Sequence, residues 1–364
     1  MRIAHIINNL QGGGAEKLLS LLLPIFNTKE ISADLIVLNN VDPAFEDICI
    51  REKINLIILS KASSPYSPFH IVRLRKHLDN YEIVHTHLFP AQYWAVFAWL
   101  LSARRARLIT TEHSTSNSRM KHPWLKPLER FVYSKYTDII SVSEATNRTL
   151  TQWLNFKGNE RFKLIQNGVD LGTVHRALPY VPQQISPMLS DIDRIIIMVA
   201  RFDDAKDHRT VIKAMHKLPQ KFKLILVGAG PLMNECKEFV YKNQLSERVI
   251  FLGFRRDVAE LIKSSFVTVI SSFWEGFGLV AIESMAAGVP VVASNVPGLR
   301  EVVEGASILF RQGDEQSLVS EIRILDNDAG KRAHIIKMQI KRAEKYDIKV
   351  TAENYIKIYE SNSP

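Results

Sequence analysis

Two carboxylates eight positions apart, Glu275 and Glu283, bracket a Gly276-Phe277-Gly278 turn, and this stretch offers the densest chemistry in the chain. Leu279 to Ala287 is built of good helix formers, so the backbone amides of Phe277, Gly278 and Leu279 fall at a helix start. Amides there lack intrahelical acceptors and suit phosphate oxygens. Glu275 and Glu283 would repel phosphate but can accept hydrogen bonds from ribose or hexose hydroxyls. A ligand carrying both a diphosphate and sugar hydroxyls, a nucleotide sugar, satisfies both halves of the pattern. A tight glycine turn with a solvated helical glutamate uses the same residues, and this stretch alone leaves the two readings equal.

Arg201 and Lys206 follow another apolar run, where a guanidinium fork and an ammonium point charge suit a diphosphate leaving group; surface ion pairing is the alternative. Gly12-Gly13-Gly14 precedes a helical pattern and lets backbone approach a phosphate or sugar closely. Ile83 to His87 ends in two histidines, His85 and His87, with no obvious third ligand nearby in sequence, so metal ligation is not expected. His113 follows the run Arg107 to Thr111 and could donate to a sugar hydroxyl or sit packed in a core. Gly228-Ala229-Gly230 lacks the third small residue of a dinucleotide fingerprint, having Met233 there, and follows a second strand, so it reads as a turn into a helix. Of the two Asp-x-Asp triplets, Asp191-Ile192-Asp193 precedes a strand and Asp326-Asn327-Asp328 lies in a helical tail; both read as solvated acids.

The elements that must hold these residues alternate strand and helix. Apolar runs at Arg2–Ile7, 33–39, 55–59, 83–87, 107–111, 138–142 and 164–165 read as strands of one domain. Those at 195–199, 222–227, 249–254, 266–270, 289–293 and 307–310 read as strands of a second. Such alternation implies α/β architecture with parallel sheets, which bind ligands at the carboxyl ends of their strands. Residues 177–193, with Pro179, Pro182 and Pro187 and no helical pattern, read as a linker.

The chain has 364 residues, 46% hydrophobic and 23% charged, as expected for a soluble protein of two domains. Cys49 and Cys236 suggest no disulfide framework and fit a reducing cytoplasm. No apolar run is long enough for a bilayer. The net charge of +9 is concentrated between Arg104 and Lys135, where eight basic residues (Arg104, Arg105, Arg107, Arg119, Lys121, Lys126, Arg130, Lys135) face only Glu112 and Glu129. Trp124, Phe131, Tyr133 and Tyr136 are interleaved with them. An anionic membrane surface, nucleic acid, a phosphorylated acceptor and a merely solvated face all fit that pattern.

The run from Glu275 to Glu283 resembles the E-x7-E signature of retaining glycosyltransferases of the GT4 type, the group 1 family, and its continuation Ser284 to Val292 is similar as well. Gly12-Gly13-Gly14-Ala15-Glu16-Lys17, Gln166-Asn167-Gly168-Val169-Asp170 and Ser294 to Glu301 extend the resemblance over nearly the whole chain. It implies the GT-B architecture of two facing Rossmann-like domains: an acceptor-side domain 1–176, a linker 177–193 and a nucleotide-sugar domain 194–349, with a helix from about 350 to 364 crossing back. It implies catalytic roles for His113, Glu275, Arg201 and Lys206. It implies donor contacts at Gly13, Gly14, Arg201, Lys206, Gly253, Phe254, Glu275, Phe277, Gly278, Leu279 and Glu283, with Phe254 by the base and His85 and His87 bordering the acceptor side. The activity it implies is transfer of a hexose from a nucleoside-diphosphate sugar, a UDP-sugar, to a saccharide acceptor on a lipid diphosphate, in bacterial surface-polysaccharide synthesis. No cofactor or metal is expected, nor nucleic acid as a partner; the expected location is cytoplasmic, peripheral on the inner face of the plasma membrane. A sugar-nucleotide epimerase, a phosphorylase and a non-catalytic sugar-nucleotide-binding module are the competing readings.

Overall fold

The computed structural model describes residues 1–29, 31–103, 105–116, 118–156 and 160–361. Contacts divide the chain into two compact units, Met1–Gly168 with Ile348–Pro364, and Val169–Asp347.

The first unit is built on seven parallel strands: β1 (Arg2–Ile7), β2 (Ser32–Val37), β3 (Leu56–Ile58), β4 (Ile83–His87), β5 (Arg107–Glu112), β6 (Asp138–Ser141) and β7 (Phe162–Leu164), in the order β3-β2-β1-β4-β5-β6-β7. Both faces are covered. Ile3 packs with Leu18, Leu22 and Phe26 on one side, while Ala4 and Ile6 pack with Val84, Leu108 and Tyr133 on the other. A parallel sheet buried on both faces needs largely apolar strands, which is why most strands stand out as apolar runs, although β4 (IVHTH) and β5 (RLITTE) also bury polar side chains. Strand order reverses direction about β1, which places a topological switch point between β1 and β4.

The second unit repeats this arrangement with β8 (Arg194–Val199), β9 (Phe222–Val227), β10 (Val249–Gly253), β11 (Val267–Ile270), β12 (Val291–Ser294) and β13 (Ile308–Phe310), ordered β10-β9-β8-β11-β12-β13. Its switch point lies between β8 and β11.

Two boundaries differ from the sequence reading. The division falls between Gly168 and Val169, and residues 177–193 are part of the second unit. They contain a short helix, Pro182–Ile185, and bury Ile185 and Leu189 in that unit's core. Tyr180 donates from its amide to Ser264 Oγ (2.7 Å) and from its hydroxyl to Asp257 (2.9 Å), and Lys263 Nζ donates to Ala177 O (2.8 Å). Prolines removed helical periodicity but not packing.

The last helix, Ile348–Glu360, belongs to the first unit. Ile348, Ala352, Tyr355 and Tyr359 recur at helical spacing and bury one face against the helix Gly14–Thr28. Full burial of each tyrosine ring contributes about 1.5–3 kcal/mol. Residues 362–364 of the expected terminal helix lie outside the described residues.

Candidate active site

Lys206 and Glu275, 69 positions apart, form an ion pair in the second unit, with both side chains mostly covered. They meet because β8 and β11 are neighbours, so the loops after them leave the sheet side by side at the switch point. Those loops are tied together. The Phe273 amide donates to Ala205 O (2.8 Å), and Ser271 Oγ donates to the Asp207 carboxylate (3.3 Å), which also caps the helix His208–Ala214 through the Thr210 amide (3.2 Å). Ser294, at the end of β12, clamps Ser272 by accepting from its amide and donating to its carbonyl, both at 2.9 Å.

Glycines decide how closely these loops pack. A Cβ on Gly298, in the helix Pro297–Val303, would lie 2.4 Å from Glu275 O, so only glycine lets that helix support the Glu275 loop. A Cβ on Gly230 would lie 2.4 Å from Phe202 O. The Gly228–Gly230 turn therefore serves as a seat for the Ala200–Phe202 backbone, with Phe202 N donating to Ala229 O (3.1 Å). Nothing about this pair at the sequence level distinguished support of the Arg201 loop from an ordinary turn.

Arg201 stands on that seat with its side chain 70% exposed, 3.9 Å from Asp203, available to a ligand. Gly278 has φ +96° and precedes the helix Leu279–Ala286, whose start is uncapped by any side chain. Phe277 is buried against the Tyr346 ring (5.6 Å, edge-on), so it anchors the loop with its side chain and can offer a ligand only its backbone. Leu279 is partly buried and Glu283 buried. Gly253 closes β10 at φ +67°, and Phe254 beside it is 49% exposed, an apolar surface at the same carboxyl edge.

In the first unit the Gly12-Gly13-Gly14 loop is arranged differently from the simple anion cradle that its glycines suggest. The Glu16 carboxylate folds back and accepts from the amides of Gln11, Gly12 (2.5 Å) and Gly13 (2.9 Å). The amides of Gln11 to Gly13 thus already hold an internal anion, one turn into the helix that Gly14 opens.

The sequence offers no obvious third ligand near His85 and His87, but the fold brings one to them. His5 on β1 is the register partner of His85, and the nitrogens of His5, His85 and His87 lie within 4.8 Å of one another, close enough to hold a metal ion. Pairing across 80 residues is invisible in local spacing. His85 uses both nitrogens, with Tyr359 OH and Thr111 Oγ1, each at 2.8 Å. His87 bridges His5 (Nε2 to Nδ1, 3.2 Å) and His113 (Nδ1 to Nε2, 3.1 Å). Burial pushes His5 down to about 3 and His113 down to about 4, and drives His85 and His87 well below the ordinary histidine value. All four are neutral at neutral pH.

The basic stretch 104–135 is not one charged face. Arg119 is buried 2.7 Å from the fully buried Glu129, over the Phe89 and Tyr93 rings, and Arg107 pairs with Asp138 (2.7 Å). Glu112 accepts from Gln92 (2.5 Å) and Tyr133 inside the unit, and Tyr133 and Tyr136 are buried. Arg104 lies outside the described residues. Arg105 is exposed over the Trp99 ring, and a smaller cluster lies on and beside the helix Lys126–Tyr133: Lys121 and Arg130 are exposed and Lys126 and Lys135 half-buried, with Trp124 75% exposed and Leu128 and Phe131 partly so. Asp326 is likewise no solvated acid, since it pairs with Lys221 (2.6 Å) and Arg194 (3.7 Å).

Two parallel sheets in Rossmann order, each with polar residues at its carboxyl edge, define the GT-B fold. The crystal structure of HepE from Anabaena, in complex with UDP and glucose, superposes with a TM-score of 0.87 at 20% identity over 99% of each chain. The family model Glycosyltransferase Family 4 matches residues 12–173 and the model Glycosyl transferases group 1 matches 186–342, so together they take in nearly all of both units. The chain belongs to the GT4-type, group 1 glycosyltransferases, and it is a transferase. It is 29% identical to N-acetyl-alpha-D-glucosaminyl L-malate synthase of Bacillus anthracis over 62% of its own length and 60% of that enzyme's. It is 26% identical to an N-acetylgalactosaminyltransferase of Campylobacter jejuni, named for an N-acetylgalactosamine-N,N'-diacetylbacillosaminyl-diphospho-undecaprenol acceptor, over 95% of this chain and 96% of that one.

Proposed function

We propose that the enzyme moves a hexose, with retention at its anomeric carbon, from a UDP-sugar to a saccharide carried on a lipid diphosphate, in the building of a bacterial surface polysaccharide. The observation that carries this is the Lys206–Glu275 pair at the switch point of the second unit, beside the open start of the helix Leu279–Ala286. An ammonium, an exposed guanidinium and helix amides suit a diphosphate, and the adjoining carboxylates suit sugar hydroxyls. Phe254 offers a flat apolar surface for the base. UDP in the Anabaena neighbour and the undecaprenol-linked acceptor in the name of the Campylobacter relative support the donor and acceptor classes.

In this reaction the bond from the sugar C1 to the diphosphate oxygen breaks and a bond from C1 to the acceptor oxygen forms on the same face. The acceptor hydroxyl proton passes to the departing phosphate. Arg201 and Lys206 stabilise the charge growing on that leaving group, so no divalent cation is needed. The cationic, aromatic surface around Lys126–Tyr133 would hold the enzyme at an anionic membrane, where a lipid-linked acceptor resides. Among the described residues no helix is long and apolar enough to cross a membrane.

The test is incubation of purified protein with a panel of nucleoside-diphosphate sugars, with and without a polyprenyl-diphosphate saccharide, in EDTA. Release of UDP from one donor, and a product with unchanged anomeric configuration, is expected. Inverted product, activity abolished by EDTA, or exclusive use of another nucleotide would reject the corresponding part.

A further inference from the structure

His5, His87 and His113 make two consecutive nitrogen-to-nitrogen contacts, of 3.2 and 3.1 Å. In each contact one nitrogen must carry a hydrogen and the other must not, and a neutral imidazole has one hydrogen to place. The directions are therefore coupled. When His87 donates from Nδ1 to His113, its Nε2 has to accept from His5 Nδ1; when it donates from Nε2, it has to accept from His113. Only two orders satisfy both contacts: every proton on Nδ1, or every proton on Nε2.

The far end of the row separates them. His5 Nε2 is buried and has no hydrogen-bond partner. Its ring is stacked on Phe26 (centroids 5.6 Å apart) and flanked edge-on by Tyr359 (6.2 Å). The all-Nε2 order would strand an N–H among these rings, whereas the all-Nδ1 order leaves only a lone pair there. Orphaned buried N–H groups are the rarer of the two in folded proteins. At the near end, His113 is only partly buried and has no other hydrogen-bond partner among the described residues.

We propose that His5 and His87 are positioning residues that hold His113 in the Nδ1–H tautomer, so that it presents a hydrogen-bond donor, and no acceptor, beside the end of β5. Such a donor suits a sugar hydroxyl oxygen or a carbonyl oxygen. Ligation of a metal by His5, His85 and His87 would instead take one nitrogen of His85 and so break its contact either to Tyr359 or to Thr111. The kinetic consequence rests on the reading of His113 as a contact to the donor sugar; the tautomer order does not.

Long-range 1H–15N correlation on ligand-free protein labelled with 15N-histidine, at pH 7.5, reads the order directly. The expected pattern is Nδ1 protonated and Nε2 unprotonated on His5, His87 and His113. His87→Phe should release His113 towards the Nε2–H form that free imidazole side chains prefer. His87→Gln, which can accept from His5 and donate to His113, should restore Nδ1–H in part. His5→Phe should leave a mixture. Nε2–H on His113 in the unaltered protein, an unchanged Nδ1–H in a folded His87→Phe, or a pattern that changes on chelation would overturn the proposal. Turnover of the donor should fall about tenfold in His87→Phe, as for one lost hydrogen bond, and recover partly in His87→Gln. A changed tautomer with unchanged turnover would leave the relay standing and remove His113 from donor contact, so the two ideas fail separately.

Discussion

Lys206 has to serve two acceptors. Its ammonium is paired with Glu275 in the free protein and, in the proposed complex, also meets a diphosphate oxygen; three N–H donors make both possible. Charge on the leaving diphosphate grows in the transition state, so the cation is worth more there than in the ground state. Lys206→Ala is therefore expected to lower kcat by more than it raises the donor KM, and Arg201→Ala to do the same. Steady-state kinetics with the preferred donor checks this, and a change confined to KM would show uniform binding instead. Glu275 would also lose its ammonium partner in Lys206→Ala, while keeping the Ser272 hydroxyl (3.5 Å), so Lys206→Arg is the useful companion: it keeps the charge but not the point geometry.

At the scale of elements, the helix Lys126–Tyr133 shows how a short amphipathic piece is fixed to its unit while leaving cations outside. Its inner side carries Glu129, Val132 and Tyr133. Glu129 accepts from Tyr93 and from Trp153 Nε1 (2.7 Å) beside the Arg119 guanidinium, so the helix is held by a buried charge that is fully partnered. The outer side presents Leu128, Arg130 and Phe131, with the half-buried Lys126 at its edge over the Trp153 ring and Trp124 just before it. Each cation near an anionic bilayer contributes about 1 kcal/mol, within a Debye length. Cosedimentation with anionic vesicles should thus be strong at low salt and weak at high salt, and Lys126→Gln or Arg130→Gln should each reduce partitioning about fivefold. Equal binding to neutral vesicles, or preference for duplex DNA, would reject the membrane reading.

At the scale of the molecule, buried neutral histidines couple folding to pH. His5, His85, His87 and His113 in the first unit, and His208 in the second, all have lowered pKa values because burial disfavours the imidazolium; His208 sits at about 4, with Lys206 adding repulsion. Each binds its proton near the ordinary 6.5 only when unfolded. The unfolded chain then holds more protons between that pH and the folded value, so stability is complete above about pH 6.5 and falls as pH drops towards 4. A single such group contributes up to about 1.4 kcal/mol per pH unit. Denaturant midpoints at pH 7.5, 6 and 5 should decrease in that order, the first unit losing most. Four of the five tryptophans (Trp94, Trp99, Trp124 and Trp153) report on that unit, so their fluorescence is a suitable probe. Midpoints that stay level from pH 7.5 to 5 would contradict this assignment.

The sequence by itself determined most of the strands, because a parallel sheet covered on both faces demands largely apolar runs; the short β7 forms at Phe162–Leu164, shifted from the apolar pair at 164–165. It also determined the Glu275–Glu283 loop, because a turn with Gly276 and Gly278 followed by good helix formers is a local matter. Tertiary structure alone decided what those elements bring together. Lys206 meets Glu275 only because β8 and β11 are neighbours, and His5 joins His85 and His87 only because β1 and β4 pair in register. A count of charges along residues 104–135 treats Arg119 and Arg130 alike, although one is buried against Glu129 and the other is exposed. Likewise the prolines of 177–193 signal the end of periodicity but not the burial of Ile185 and Leu189. Periodicity and turn chemistry act over a few residues and can be read in order along the chain; strand order, register and desolvation arise between residues scores of positions apart, where no local pattern records them.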